Sequence, residues 1–195
     1  MLGIFGKIPS RRDFIARGIP NVVLERIEPW MQEAMAQSRE SLGSAFLDTY
    51  LKAPLWRFWW SQSVGGAGAA GVLMPSVDKV GRYFPVTAIA LAQKGEDFRL
   101  PTVDDDGWYG SVENALLGAL SQTDTLAALL SRLEALAPLP RAHEKAAEGS
   151  LWWTIGGGGL PPQRAAWPGL PPPYAFTVML SGHSPMAEQG PASRS

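Results

Sequence analysis

"AGVLMPSVDKVGRYFPVTAIALA", Ala70 to Ala92, decides the fold class of this chain. Two apolar runs, 70–77 and 83–92, flank a polar middle. Each run has the composition of a strand. No helical crossover lies between them, which predicts an antiparallel pair, a hairpin with a long connection. The connection carries Ser76, Asp78, Lys79 and Arg82 between Pro75 and Pro85.

Outward from this hairpin, "LWRFWWSQ" (55–62) reads as an aromatic-rich strand and "LGIFGKI" (2–8) as the first strand. "PSRRDFIARGIP" (9–20) reads as a polar loop closed by prolines. From Val23, residues Ile27, Trp30, Ala34, Met35, Ser38 and Leu42 recur on one helical face. Pro29 falls inside that run and predicts a kink or a second helix start. "SAFLDTYLKA" (44–53) reads as a short helix ended by Pro54. Downstream, 104–122 and 123–136 read as helices, the first opened by acids that complement the helix dipole, the second capped by Thr123. "SLWWTI" (150–155) and "YAFTVML" (174–180) read as late strands, with the proline-rich 161–173 an extended surface segment. The order predicts an α+β fold, a mostly antiparallel sheet packed with helices. One domain is expected over 1–182, and 183–195, which lacks apolar periodicity, is expected to be a disordered tail.

Composition narrows the function. A chain of 195 residues, 46% of them hydrophobic, is long enough for a substantial core. A formal net charge of -1 supplies no long-range field for nucleic acid or an anionic membrane. The absence of cysteine excludes disulfides, thiol catalysis and Cys-ligated metal. The N-terminus lacks the pattern of a secretory signal, and no apolar run approaches the roughly 20 residues of a spanning helix. The expected location is the cytoplasm.

Most chemistry motifs fail on context. "GAGAAG" (66–71) fits a dinucleotide pattern, but a strand-like run follows it where a helix is needed, so a turn is expected. "GGGG" (156–159) is likewise expected to be a turn. The two histidines, His143 and His183, lie in a charged stretch and in the tail, which leaves Ser76 without an evident base and a His-based metal site poorly supplied. Asp104–Asp106 are expected to be a solvated helix start, and Trp56, Phe58, Trp59 and Trp60 to be core. For the 75–86 loop, spacing alone supports two readings equally. One is a structural connection with Asp78 and Arg82 paired locally; the other is a recognition loop stiffened by its prolines.

Three blocks carry a family resemblance. "GKIPSRRDFIARGIP" (6–20), "SRESLGSAFLDTYLKAPLWRF" (38–58) and "GVLMPSVDKVGRYFPVT" (71–87) resemble the signatures of the TagF family, accessory proteins of the bacterial type VI secretion system. The matching positions are Gly6, Pro9, Asp13, Phe14 and Arg17, then Ser38, Arg39, Leu42, Asp48, Tyr50, Pro54, Trp56, Arg57 and Phe58, then Pro75, Ser76, Asp78, Gly81, Arg82, Phe84 and Pro85. Arg12 stands where glycine is usual, and Lys79 where arginine is also common.

The resemblance implies an α/β/α sandwich with a likeness to longin-type modules. It implies a post-translational repressor of secretion-system assembly that binds a scaffold protein with a forkhead-associated domain. It implies no enzyme activity, no cofactor and no metal. Some relatives are fused to a PP2C-type phosphatase, whose acid motifs this chain lacks. Asp13, Arg17, Ser76, Asp78, Lys79 and Arg82 are the candidate partner-binding residues. Gly6, Pro9, Asp48, Trp56, Arg57, Gly81, Phe84 and Pro85 are expected to be structural or surface motif positions. Two rival functions are a hydrolase using Ser76, Asp78 and Arg82, and a GTPase-binding adaptor, the latter resting on fold analogy alone.

Overall fold

The computed structural model describes residues 2–121, 123–142 and 147–182. The elements run β1 (Leu2–Gly6), β2 (Ile15–Arg17), α1 (Asn21–Leu42), α2 (Phe46–Lys52), β3 (Trp56–Trp60), α3 (Gln62–Gly65), β4 (Ala69–Met74), β5 (Val86–Leu91), α4 (Asp106–Gly118), α5 (Leu126–Glu134), β6 (Ser150–Thr154), β7 (Gln163–Trp167) and α6 (Pro173–Ser181). Short 3-10 turns precede α2 and α4. The strands form one sheet in the order β2-β1-β5-β4-β3-β6-β7, and every neighbouring pair is antiparallel. The α+β class expected from the 70–92 hairpin is therefore the observed one.

The sheet is covered on both faces. On one, Phe58, Trp60, Leu73 and Ile89 pack against Val23, Ile27 and Trp30 of α1 and Phe176 of α6. On the other, Trp59, Val72 and Ala88 pack against Val112 and Leu116 of α4 and Leu129 and Leu133 of α5. Burial on both sides is why β3, β4 and β5 read as continuous apolar runs rather than alternating ones. The aromatic row of β3 is core, as expected. Phe58 and Trp60 stack at 4.7 Å, and the indole N–H groups of Trp56, Trp59 and Trp60 donate to the carbonyls of Met179, Phe98 and Ala67.

Several expectations need correction. The 174–180 run is the helix α6, not a strand. Pro173 occupies its first turn, where its missing N–H costs nothing, and Gly182 closes it at φ 72°. Packing on α1 fixes it: Trp30 Nε1 donates to the Pro171 carbonyl at 2.6 Å, and Ser38 Oγ meets Thr177 Oγ1 at 3.0 Å. The 161–173 segment contains edge strand β7, and the 9–20 loop contains edge strand β2. Prolines flank β7 on both sides, which blunts its free edge.

Helix α1 runs unbroken through the exposed Pro29, its buried stripe from Val23 to Ser38 anchoring both halves. The cap of α5 is Thr125, whose hydroxyl accepts from the Ala128 N–H at 3.1 Å, rather than Thr123. The acids before α4 are not simply solvated. Asp105 is buried in a capping box with Thr102 and pairs with Arg99 at 2.9 Å, and Asp106 pairs with Arg57 at 2.8 Å.

The 156–159 glycines form a turn, with Gly157 bridging Leu160, whereas 66–71 is only half a turn: Gly66 caps α3, and Ala69, Ala70 and Gly71 already belong to β4. Among the described residues no helix is long and apolar enough to cross a membrane. His143, His183 and the expected tail lie outside the described residues.

Candidate functional site

The loop between β4 and β5 is built around one carboxylate. Asp78 Oδ2 accepts from Lys7 Nζ at 2.9 Å and Arg82 Nε at 2.7 Å, while Oδ1 accepts from the backbone N–H groups of Val80 at 3.0 Å and Arg82 at 2.9 Å. The Asp78 side chain has no solvent exposure. Burial pushes its carboxyl pKa up, but the Arg82 and Val80 N–H groups, the Lys7 ammonium and the Arg82 guanidinium outweigh burial, holding it well below the usual range. The backbone closes on itself as well, with Asp78 N–H on the Arg82 carbonyl at 3.1 Å and a bridge between Val77 and Tyr83. The loop is thus held from inside.

The other two sequence blocks dock onto it. From the first, the Arg11 carbonyl accepts from Lys79 N–H at 2.9 Å, and the Arg12 carbonyl accepts from the Arg82 guanidinium. Gly6 sits at φ 124° beneath Pro85, where a Cβ would lie 2.1 Å from the Pro85 carbonyl oxygen. From the second, Tyr50 Oη donates to the Ser76 carbonyl at 3.1 Å and accepts from the Ser76 N–H at 2.9 Å. Burial pushes the Tyr50 hydroxyl pKa up, so it stays protonated in this role. Arg39 of α1 donates to the Tyr83 carbonyl at 3.1 Å.

Between this loop and α1 lies a groove of about 550 Å³, lined among others by Lys7, Phe14, Met35, Arg39, Arg82 and Phe84. Gln32, Ala36 and Arg39 face it from one side of α1, as their spacing dictates. Phe14 is 48% exposed and meets buried Phe84 edge-on at 4.8 Å, with Lys7 Nζ 4.8 Å above its ring. Among the described residues three cations line the groove and no carboxylate does. A second cavity of about 670 Å³, with Val103, Trp153 and Ile155 in its walls, opens beside β6 and β7.

The candidate partner-binding residues separate by exposure. Lys79, Arg82 and Asp13 are exposed at this end of the sheet. Ser76 and Asp78 are interior and hold the loop in shape, which corrects the picture of Asp78–Arg82 as a surface pair. Arg17 is exposed on β2 opposite Ile4 and does not line the groove.

The motif positions are mostly structural. Trp56 and Arg57 are core, Arg57 donating to both Glu113 oxygens, Nε to Oε1 at 2.7 Å and Nη2 to Oε2 at 3.0 Å. Pro9, Phe84 and Pro85 are buried, Gly81 turns the loop at φ 89°, and exposed Asp48 pairs with Lys52 at 2.7 Å. Ser76 Oγ, the nucleophile of the hydrolase reading, is buried with no hydrogen-bond partner, and no base among the described residues stands within reach of it. Lys7 was missed. Its signal is a lone cation in an apolar strand end, since a buried charge requires a partner.

Comparison with known proteins agrees with this geometry. The profile of the TagF N-terminal domain, described as type VI secretion system-associated, matches residues 3–136. A crystal structure of PA0076 from Pseudomonas aeruginosa PAO1 superposes with a TM-score of 0.81 at 31% identity, covering 100% of this chain and 99% of that one. The comparison with curated proteins finds no match.

Proposed function

The chain belongs to the TagF family of type VI secretion system-associated proteins, and from that premise we propose that it restrains assembly of the secretion system by binding a scaffold component. The partner is a scaffold protein with a forkhead-associated domain. Restraint follows from mass action: scaffold held by this chain is withdrawn from assembly in proportion to its free concentration over Kd.

One observation carries the reading. The three family blocks, far apart in sequence, build a single end of the sheet; they place Phe14, Arg39 and Arg82 in the lining of the accessible groove and Lys79 exposed on the loop beside it. Lys7, Asp78 and Tyr50 position that surface from beneath. Residues that hold one loop this firmly lower the entropy cost of docking it. The protein acts by binding rather than by chemistry.

Co-purification from cells expressing the secretion cluster tests this. The wild-type chain is expected to retain the scaffold, and Arg39→Glu/Lys79→Glu to lose it while remaining folded by circular dichroism. Recovery of assembly components without the scaffold would overturn the reading.

A further inference from the structure

The whole chain carries a net charge of -1, yet its charge is unevenly placed. Lys7, Arg39 and Arg82 line the groove, and Arg11, Arg12 and Lys79 stand exposed on the loops beside it. Arg11, Arg12 and Lys79 make no ion pair with any carboxylate of the described residues; it is their backbone atoms that tie the loops together. Asp78 is already shared by Lys7 and Arg82, and Asp13 is the sole other acid in segments 6–17 and 75–86. The floor is apolar: Met35 and Phe84 are buried there and Phe14 stands half-exposed at the wall.

An apolar floor inside a cationic rim defines the occupant. We propose that this groove docks an acidic segment of the partner protein, one apolar side chain seated against Phe14, Phe84 and Met35 with flanking carboxylates reaching Arg39, Lys79 and Arg11. The inference rests on the reading above that this end is the docking face. Burial of the apolar anchor supplies affinity, while the rim charges set orientation, association rate and salt dependence. Since the Debye length is about 10 Å at 0.1 M salt and shrinks further above that, the rim contribution is screened at high salt. The patch does not show in the net charge because acids elsewhere on the surface balance it.

Fluorescence anisotropy with a labelled synthetic 14-residue peptide, a central Leu-Phe flanked on both sides by Asp and Glu, tests the proposal on the full chain. The peptide is expected to bind, to weaken as salt rises from 0.05 to about 0.5 M, and to lose about tenfold in affinity against Arg11→Glu/Lys79→Glu. That variant leaves the Asp78 contacts intact, and circular dichroism is the check on its fold. Arg164→Glu on β7 is expected to bind as wild type. Equal binding of a Lys-flanked peptide, or unchanged affinity in the double variant, would overturn the proposal. Tighter binding of a phosphothreonine peptide lacking carboxylates would replace carboxylate recognition with phosphate recognition and overturn it too. Retention of the intact scaffold by Arg11→Glu/Lys79→Glu would sink the groove assignment while leaving the repressor reading in place. Peptide binding without scaffold binding would do the reverse.

Discussion

Lys7 Nζ and Asp78 Oδ2 lie 2.9 Å apart across 71 residues of sequence, both side chains almost wholly out of solvent. This pair joins the end of β1 to the β4–β5 loop. Breaking a buried pair by removing one partner costs about 3–5 kcal/mol, because the other charge is left uncompensated. Asp78→Ala is expected to lose that much in urea denaturation. The double variant Lys7→Ala/Asp78→Ala should cost clearly less than the sum of the singles. Strict additivity would mean that the two groups are not coupled.

The same carboxylate sets an acid-side dependence. The Asp78 pKa in the folded state lies below its unfolded value, so ionised Asp78 favours folding. Its contribution is fully present above about pH 5 and is lost as pH falls through the carboxylate range toward the depressed value. Asp124, depressed chiefly by its hydrogen bond from Arg132, acts in the same direction, and Asp97, raised by burial, acts in the opposite one. The stability gap between wild type and Asp78→Asn should therefore shrink between pH 6 and pH 3. A gap constant over that range would contradict the account.

Two loop glycines should respond differently to alanine. Both have positive φ, 124° at Gly6 and 89° at Gly81. At Gly81 no atom lies within 4 Å of the added Cβ, so only backbone strain of about 1–3 kcal/mol is expected. At Gly6 the Cβ would also collide with the Pro85 carbonyl at 2.1 Å, forcing β1 and β5 apart. Thermal denaturation should rank Gly6→Ala well below Gly81→Ala, and equal melting temperatures would refute the close approach.

Arg57 holds α4 to the sheet through its two contacts with Glu113 and one with Asp106. Lysine keeps the charge but not the planar fork. Arg57→Lys is expected to cost about 1.5–3 kcal/mol by chemical denaturation. A neutral substitution would show that the fork geometry is not needed.

Strands β3 to β5 were legible because burial on both faces leaves long apolar runs with punctuation between them. Residues 174–180 were not, because a seven-residue run that is apolar apart from Thr177 carries no period that separates a strand from a buried helix. The correct signals stood just outside, in Pro173 at the first turn and Gly182 at the end. Edge strands β2 and β7 escaped notice because pairing partners, not their own polar residues, make them strands. The site was half legible. Lys79 and Arg82 stand out in the sequence as polar loop residues and are exposed in the structure, but a polar loop gives no sign that Asp78 points inward. The buried cation at Lys7 was the one clue. Phe14 and Arg39 entered only as family-pattern positions, since nothing local marks them as groove walls.

The most direct measurement is calorimetric titration of the purified chain with the purified forkhead-associated scaffold protein. Saturable binding is expected for wild type and Arg164→Glu, and loss of binding for Arg39→Glu/Lys79→Glu that remains folded by circular dichroism. Wild-type heats indistinguishable from dilution, or full binding by Arg39→Glu/Lys79→Glu, would contradict it.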